Sequence, residues 1–314
     1  MTTRIIGIVL LQNEENFVTW AIGNSIDFCD EMIVIDNNST DATWAQVEAL
    51  AKVNPKIRMM RDANANRTNV YVQEYIGEDV WVFGIDGDEI YDREGLRRLR
   101  ERLIAGEFSQ YWRVQGNTLH ATVLDLDAGM AQGYSTPIAA AATKLYNFAL
   151  IAEWTPERQR LHGIPVIAEG RAGDKLWMSK DIAWEDSDFR NLHLCFFPRS
   201  SIDAEVTIRK NISDKFFKHR WRRSVFQFLT RVGGSRVRAY LSRRSMLIKQ
   251  RAYMGGEVVG KGIDAGFGRP SRYAAIDANA ARTEAMLTAV SDERRSKPDL
   301  RSEREIQYGG WARK

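Results

Sequence analysis

The sequence predicts an α/β fold: a mixed, mainly parallel sheet with flanking helices, followed by a basic helical C-terminal region. Three observations predict it. Short β-branched runs alternate with longer helix-compatible runs through the first hundred residues, the pattern of a parallel sheet covered by helices. Met32, Ile33, Val34 and Ile35 form an unbroken apolar run, as a strand buried on both faces requires. Polar residues gather just after three successive strand candidates, at one edge of such a sheet. With 314 residues the chain makes one large domain or two smaller ones, at roughly 100 to 200 residues each.

In order, strands are expected at 4–11, 31–35, 56–60 and 80–85, with helices at 14–28, 40–53, 68–77 and 93–105. Ser39 or Thr40 starts the second helix and Asp41 falls in its first turn, where the helix dipole favours an anion. Residues 108–200 are less regular, with strand-like pieces at 110–114, 118–124, 143–148 and 192–197. The longest uncharged stretch, 128–143, holds Gly129, Gln132, Gly133, Ser135 and Pro137 and reads as a loop. A basic helical segment is expected at 201–255, then a final helix at 273–290 and a charged tail.

A composition of 44% hydrophobic and 27% charged residues, with seven prolines, sets aside disordered, collagenous and fibrous classes. The two cysteines, Cys29 and Cys195, cannot build a disulfide framework and show no metal-ligand spacing. A reducing compartment, the cytoplasm, is the expectation. The apolar run 5–11 stops at Gln12, too short for a membrane span.

Charge is distributed unevenly. Residues 1–198 hold 19 Lys/Arg against 29 Asp/Glu, residues 199–251 hold 15 against 3, and residues 252–314 hold 11 against 9. The middle segment therefore suits a polyanionic partner, a nucleic acid or an anionic membrane surface.

The most informative motif is Asp86-Gly87-Asp88-Glu89 after an apolar strand. Ligands of open parallel sheets bind beyond the carboxyl ends of strands, and carboxylates there suit Mg²⁺ held together with substrate phosphates. Gly87 would let the turn bring Asp88 close to a diphosphate. A solvated acidic turn before the helix at Arg93 is the plain alternative. The neighbouring strand ends weigh against it. Strand one finishes in Leu11-Gln12-Asn13-Glu14-Glu15, strand two in Asp36-Asn37-Asn38-Ser39-Thr40-Asp41, and Arg67 stands at a helix start suited to phosphate. Together these describe a nucleotide-diphosphate site.

With Leu11-Gln12-Asn13-Glu14-Glu15, Ile33-Val34-Ile35-Asp36-Asn37-Asn38-Ser39-Thr40-Asp41 and Ile85-Asp86-Gly87-Asp88-Glu89 in register over about ninety residues, the chain resembles family 2 glycosyltransferases of the GT-A (Rossmann-like) fold. The resemblance implies a UDP-sugar donor, UDP-glucose by default, and Mn²⁺ or Mg²⁺. It places Glu14 and Asp36 near base and ribose, Asp86 near ribose and metal, and Asp88 as the main metal ligand. Leu11, Gln12, Asn13, Asn37, Ser39, Arg67 and Gly87 complete the expected donor site, with Asn37 departing from a more usual aspartate. On this reading residues 1–125 are the nucleotide-sugar half of the GT-A domain, 126–200 the acceptor half, and 256–314 the C-terminal helix and tail.

Glu185-Asp186-Ser187-Asp188 resembles the family's acidic segment whose carboxylate deprotonates the acceptor hydroxyl. Asp186 is the expected base, with Glu185 and Asp188 as alternatives and a solvated turn as the structural reading. A C-terminal histidine joins the metal shell in some GT-A enzymes. His193 is the best-placed candidate, with a satisfied structural histidine as the other reading, and His162 is the second, while His120 and His219 read as structural or acceptor-facing.

The basic segment is the clue to the acceptor. Lys218, Arg220, Trp221, Arg222, Arg223, Arg236 and Arg238 suit phosphate neutralisation, with aromatics between them that either stack on bases or pack on the core. Segments 133–137, 143–148 and 192–201 resemble glycosyltransferases of phage DNA hypermodification. That resemblance implies 5-hydroxymethylcytosine in double-stranded DNA as acceptor and, for a phage protein, the host cytoplasm. Two further readings stay open: a lipid-linked or cell-surface glycan acceptor at a membrane, and a binding protein that has lost catalysis.

Overall fold

The computed structural model describes residues 3–135, 143–154, 161, 165–169, 174–201 and 257–269. The expected basic helical segment beyond Ser201, the 273–290 helix, His162, His219 and the residues Lys218, Arg220, Trp221, Arg222, Arg223, Arg236 and Arg238 lie outside them.

The first ninety residues fold as the alternation of patterns requires. Strand β1 (Arg4–Leu11) leads to helix α1 (Val18–Ser25), which a 3₁₀ turn (Ile26–Phe28) extends. Then come β2 (Glu31–Asp36), α2 (Thr43–Val53), β3 (Ile57–Arg61) and β4 (Val80–Asp86). These four strands are mutually parallel in the spatial order β4-β1-β2-β3. Met32, Ile33, Val34 and Ile35 are each at most 1% exposed, so the central strand is buried on both faces as its composition predicts.

Two local expectations are corrected here. The run at 68–77 is a 3₁₀ helix, Ala65–Tyr75, rather than an α-helix. Helix α2 starts after Ala42 with no side-chain cap, so Asp41 precedes its first turn; the Asp41 carboxylate still accepts from the Thr43 N–H at 2.9 Å.

After Asp86 the chain changes sheets. A turn at Gly87 and Asp88 leads into β5 (Glu89–Tyr91), and α3 (Arg93–Ile104) follows, capped by the Asp92 side chain on the Glu94 N–H. The next strands are β6 (Tyr111–Gln115), β7 (Asn117–Asp125), β8 (Met130–Ser135) and β9 (Lys144–Asn147). The hairpin β10 (Ile151–Trp154) and β11 (Pro165–Ile167) follows, then β12 (Asp174–Trp177) and a short helix α4 (Met178–Asp181). The last described strands are β13 (Arg190–His193) and β14 (Val258–Gly262).

The first sheet has seven strands in the order β12-β6-β9-β4-β1-β2-β3, and β9 is antiparallel to both its neighbours. The second has five, β14-β8-β7-β13-β5. The loop expected at 128–143 is therefore partly strand: β8 pairs antiparallel with β7 and β14. Gly133 makes this possible, because a Cβ there would come within 2.1 Å of the His120 carbonyl oxygen. The strand expected at 192–197 instead starts at Arg190 and stops at His193. Both sheets also mix the expected segments, since β9 and β12 complete the first sheet and β14 joins the second. Among the described residues, no helix is long and apolar enough to cross a membrane.

Candidate active site

The joint between the two sheets is the acidic motif itself. Asp86 ends β4 in the first sheet and Glu89 begins β5 in the second. A four-residue hinge thus carries three carboxylates to the carboxyl edge of the parallel strands, where an open α/β sheet binds ligands. Gly87 is required for a reason the sequence did not suggest. A Cβ there would sit 2.7 Å from both Leu11 Cδ2 and Glu14 Cγ, so its missing side chain admits the end of β1 and the loop that follows it.

The three acids have different surroundings. The Asp86 side chain is 42% exposed and lies 3.2 Å from Lys144 Nζ. Glu89 is buried and accepts from Lys144 Nζ at 2.8 and 2.9 Å. Burial pushes the Glu89 carboxyl up to about 7, even with the Lys144 charge beside it. Burial opposes the Lys144 ammonium, but the two carboxylates offset this and raise its pKa.

Asp88 is buried at the centre of a charged cluster. Arg199 Nη1 lies 3.2 Å from Asp88 Oδ2 and 2.6 Å from Glu14 Oε1. His193 Nε2 lies 3.6 Å from Asp88 Oδ2. The His193 side chain is in place because β13 is antiparallel to β5, with His193 opposite Glu89, and because the Leu194 N–H donates to the Asp88 carbonyl at 2.8 Å. Leu192 and Leu194 pack in the core of the second sheet, so His193 takes the opposite face, as strand alternation predicts. Burial opposes the imidazolium, yet Cys195 and Asp88 beside it hold the His193 pKa well above the ordinary value.

The loops after β1 and β2 are stitched together. The Leu11 carbonyl accepts from the Asn37 N–H at 2.8 Å, and Gln12 Nε2 donates to the Asn37 carbonyl at 3.1 Å. Asn13, at φ 54°, donates its N–H to Ser39 Oγ and accepts from the Thr40 N–H. The Glu14 N–H donates to Thr43 Oγ1 at 2.7 Å. Asp36 is buried, accepts from the Ser39 N–H and pairs with Arg61 Nε at 3.6 Å. With its amide turned to suit the acceptors around it, Asn37 donates to the carbonyls of Ala63 and Asp62, so the departure from aspartate serves the loop after β3. Arg67 is half-exposed and lies 3.8 Å from Asp62, on this same rim. The expected donor residues are thus brought to one edge.

The expected base is not. Segment 185–188 precedes β13, whereas the metal candidates stand at that strand's far end, five residues or roughly 16 Å of extended chain away. Asp188 is held by Arg98 Nε at 2.7 Å and Arg102 Nη1 at 2.9 Å, both from α3. Exposed Glu185 pairs with Lys261 at 3.2 Å, and Asp186 lies exposed in the turn between them. Segment 185–188 thus forms a turn in which Glu185 and Asp186 are exposed and Asp188 is half-buried against α3.

The sequence reading missed Lys144 and Arg199 as site residues. Both lie on segments singled out only for their texture, and nothing local to a lone cation in a strand or loop reports a carboxylate that the fold brings to it from far along the chain.

Residues 8–123 match a known family model. The match is to glycosyl transferase family 2. It covers a little over a third of the chain and spans β1 to most of β7, including Glu14, Asp36, Asp86 and Asp88. A curated relative, the lipopolysaccharide core biosynthesis glycosyltransferase LpsC of Rhizobium meliloti (strain 1021), is 29% identical over 109 residues, 34% of this chain and 39% of that protein. The chain thus spans well under half the length of that relative. Among solved structures, a mannosyltransferase from Pyrobaculum calidifontis in complex with GDP-Man and Mn²⁺ is 19% identical, with a TM-score of 0.28 over 38% of this chain and 36% of that one. Glucosyl-3-phosphoglycerate synthase from Mycobacterium tuberculosis, in complex with Mn²⁺, UDP and glucosyl-3-phosphoglycerate, is 23% identical, with a TM-score of 0.26 over 37% and 44%. Likenesses this partial support no inference about ligand or chemistry.

Proposed function

We propose that this chain is a metal-dependent glycosyltransferase that takes a hexose from a UDP-sugar and passes it to a hydroxyl on a polyanionic acceptor. The observation that carries the reading is the sheet joint: Asp86 and Asp88 at the strand edge, with His193 Nε2 3.6 Å from Asp88 Oδ2, beside the interlocked loops of Glu14 and Asp36. The match of residues 8–123 to family 2 supports it.

Two carboxylates and one imidazole fit Mn²⁺ or Mg²⁺, since oxygen donors favour hard cations and imidazole is tolerated. Such an ion, bound by Asp86, Asp88 and His193, would stabilise the charge developing on the departing diphosphate. The chain's own groups do the rest. Lys144 and Arg199 neutralise the acidic cluster and hold its carboxylates in place. The loops of Gln12, Asn13, Asp36, Asn37 and Ser39 shape the nucleoside end, and Arg67 lies on the rim where a phosphate would pass.

The acceptor side rests on charge and on where the chain leaves the site. Glu15 accepts from the Ser201 N–H at 2.7 Å, and Arg199 is fixed to Glu14, so the chain enters the basic segment directly from the site edge. Of polyanions, we take 5-hydroxymethylcytosine in duplex DNA as the leading acceptor, on the density of Lys/Arg after residue 199. A glycan of the lipopolysaccharide type is the second reading, favoured by the LpsC match.

The test incubates the full chain and radiolabelled UDP-glucose with Mn²⁺, offering hydroxymethylated duplex, unmodified duplex or lipopolysaccharide core in separate reactions. Label on the hydroxymethylated duplex alone supports the leading reading, and label on the core supports the second. Donor turnover that is absent with Mn²⁺ and Mg²⁺, across UDP-hexoses, overturns the enzyme assignment.

A further inference from the structure

We propose that His120, His193 and Cys195 form a second cation site, for a borderline-to-soft divalent metal such as Zn²⁺, which shares His193 with the carboxylate site. It extends the reading above by a metal of a different class. The placement of His120 and Cys195 is observed independently of the acidic motif.

Strands β7 and β13 run parallel with His193 in register with His120. This brings the two Nδ1 atoms to 2.8 Å and the ring centroids to 4.9 Å. Cys195 follows His193 by two residues, where the strand gives way to a turn. One ligand atom from each of the three lies within 4.8 Å of the others. A tetrahedral ion at ordinary Zn–N and Zn–S bond lengths needs its ligand atoms about 3.3–3.8 Å apart, so modest ring rotations are enough. Both histidines are buried while Cys195 is half-buried, which gives an ion a way in. Among the described residues this is the group of His, Cys and acidic side chains arranged to hold a metal through nitrogen and sulfur.

The ligand chemistry selects the ion. Two imidazoles and a thiolate favour Zn²⁺ over Mg²⁺ or Mn²⁺, whereas Asp86 and Asp88 favour the harder cations. As the ion binds, the Cys195 thiol proton leaves to solvent, and the proton shared between the two Nδ1 atoms leaves with it or moves to an Nε2. His193 presents Nδ1 to His120 and Nε2 to Asp88, so an ion that turns its ring toward His120 and Cys195 withdraws it from the carboxylates. Zn²⁺ therefore weakens Mn²⁺ binding at Asp88.

The test uses the full chain, stripped of metal and titrated with Co²⁺ as a spectroscopic stand-in for Zn²⁺. The expected result is one equivalent bound, with a thiolate-to-cobalt charge-transfer band and the visible bands of a tetrahedral centre, both displaced by Zn²⁺. Cys195→Ser should lose the charge-transfer band and weaken Zn²⁺ at least about 10-fold, whereas Cys29→Ser and Asp88→Asn should keep the band. His120→Ala should weaken Zn²⁺ likewise. In the unmutated chain, Zn²⁺ should slow alkylation of Cys195 by iodoacetamide at least about 10-fold. A wild-type chain with no thiolate band, a band that persists in Cys195→Ser, or an unchanged alkylation rate overturns the proposal. None of these readouts depends on sugar transfer, so failure here and failure of the enzyme assignment are separate results.

Discussion

Two acidic segments of nearly the same composition meet opposite fates in this chain. Asp86-Gly87-Asp88-Glu89 stands at the carboxyl end of a parallel strand and becomes the hinge between two sheets, with its acids facing Lys144, Arg199 and His193. Glu185-Asp186-Ser187-Asp188 stands before the amino end of a strand, partly exposed and tied to Arg98, Arg102 and Lys261. Strand direction, which composition does not carry, gives the two segments different surroundings.

The largest expected effect is on donor turnover. Asp88→Asn keeps the volume but removes the charge that Arg199 and His193 face, and it should cut metal-dependent UDP-sugar turnover about 100-fold or more. Asp186→Asn should leave turnover within about 2-fold. Steady-state kinetics on both variants checks the comparison, and equal losses would return segment 185–188 to the site.

Stability gives the next contrast. Lys144→Met leaves Glu89 buried beside Asp86 without its cation, which should cost about 3–5 kcal/mol, and Glu89→Gln on top should recover part of it. Urea denaturation of the two variants measures both, and an unchanged midpoint in Lys144→Met would mean that the pair is not buried as described.

A smaller effect is expected far from both segments. Asp30 binds Arg100 at 2.5 Å and accepts from the Ile5 N–H at 2.8 Å. Burial pushes its carboxyl upward, but these partners prevail and hold its pKa below the usual value. A lowered folded-state pKa means a contribution present above the unfolded value near 4 and lost as pH falls through the folded one. Asp30→Asn should therefore be less stable than the wild type by about 1 kcal/mol at pH 7, given partial exposure, and the gap should close below pH 4. Denaturation midpoints at pH 7 and pH 3 read this out.

The smallest effect belongs to the surface turn. Removing the half-buried Lys261 ammonium opposite exposed Glu185 (Lys261→Ala) should change stability by no more than about 0.5 kcal/mol. A larger shift in melting temperature would show that the turn carries structure beyond its exposed ion pairs.

Much of the first half of the fold was legible. Strands β1 to β4 fall within one or two residues of the expected bounds, helped by the near-continuous apolar runs of β1, β2 and β4, and the loops that follow them reach one edge because the strands are parallel. The second half was less so. β8 was hidden because its partners β7 and β14 are supplied by distant segments, and an uncharged Gly-containing stretch looks like a loop until those partners are placed. The surroundings of segment 185–188 were hidden for a related reason, since local acidity says nothing of which end of β13 it precedes.

By itself the sequence determined the parallel sheet, the polar edge and the acids Asp86 and Asp88, all of which follow from local patterns of burial and strand ends. Only the tertiary structure decided which cations stand against those acids, that Gly87 makes room for Leu11 and Glu14, and that His120 meets His193 across parallel strands. Those contacts join residues from about 58 to 111 positions apart, and pairings at such separations are set by sheet register and strand order, which no short stretch of sequence encodes.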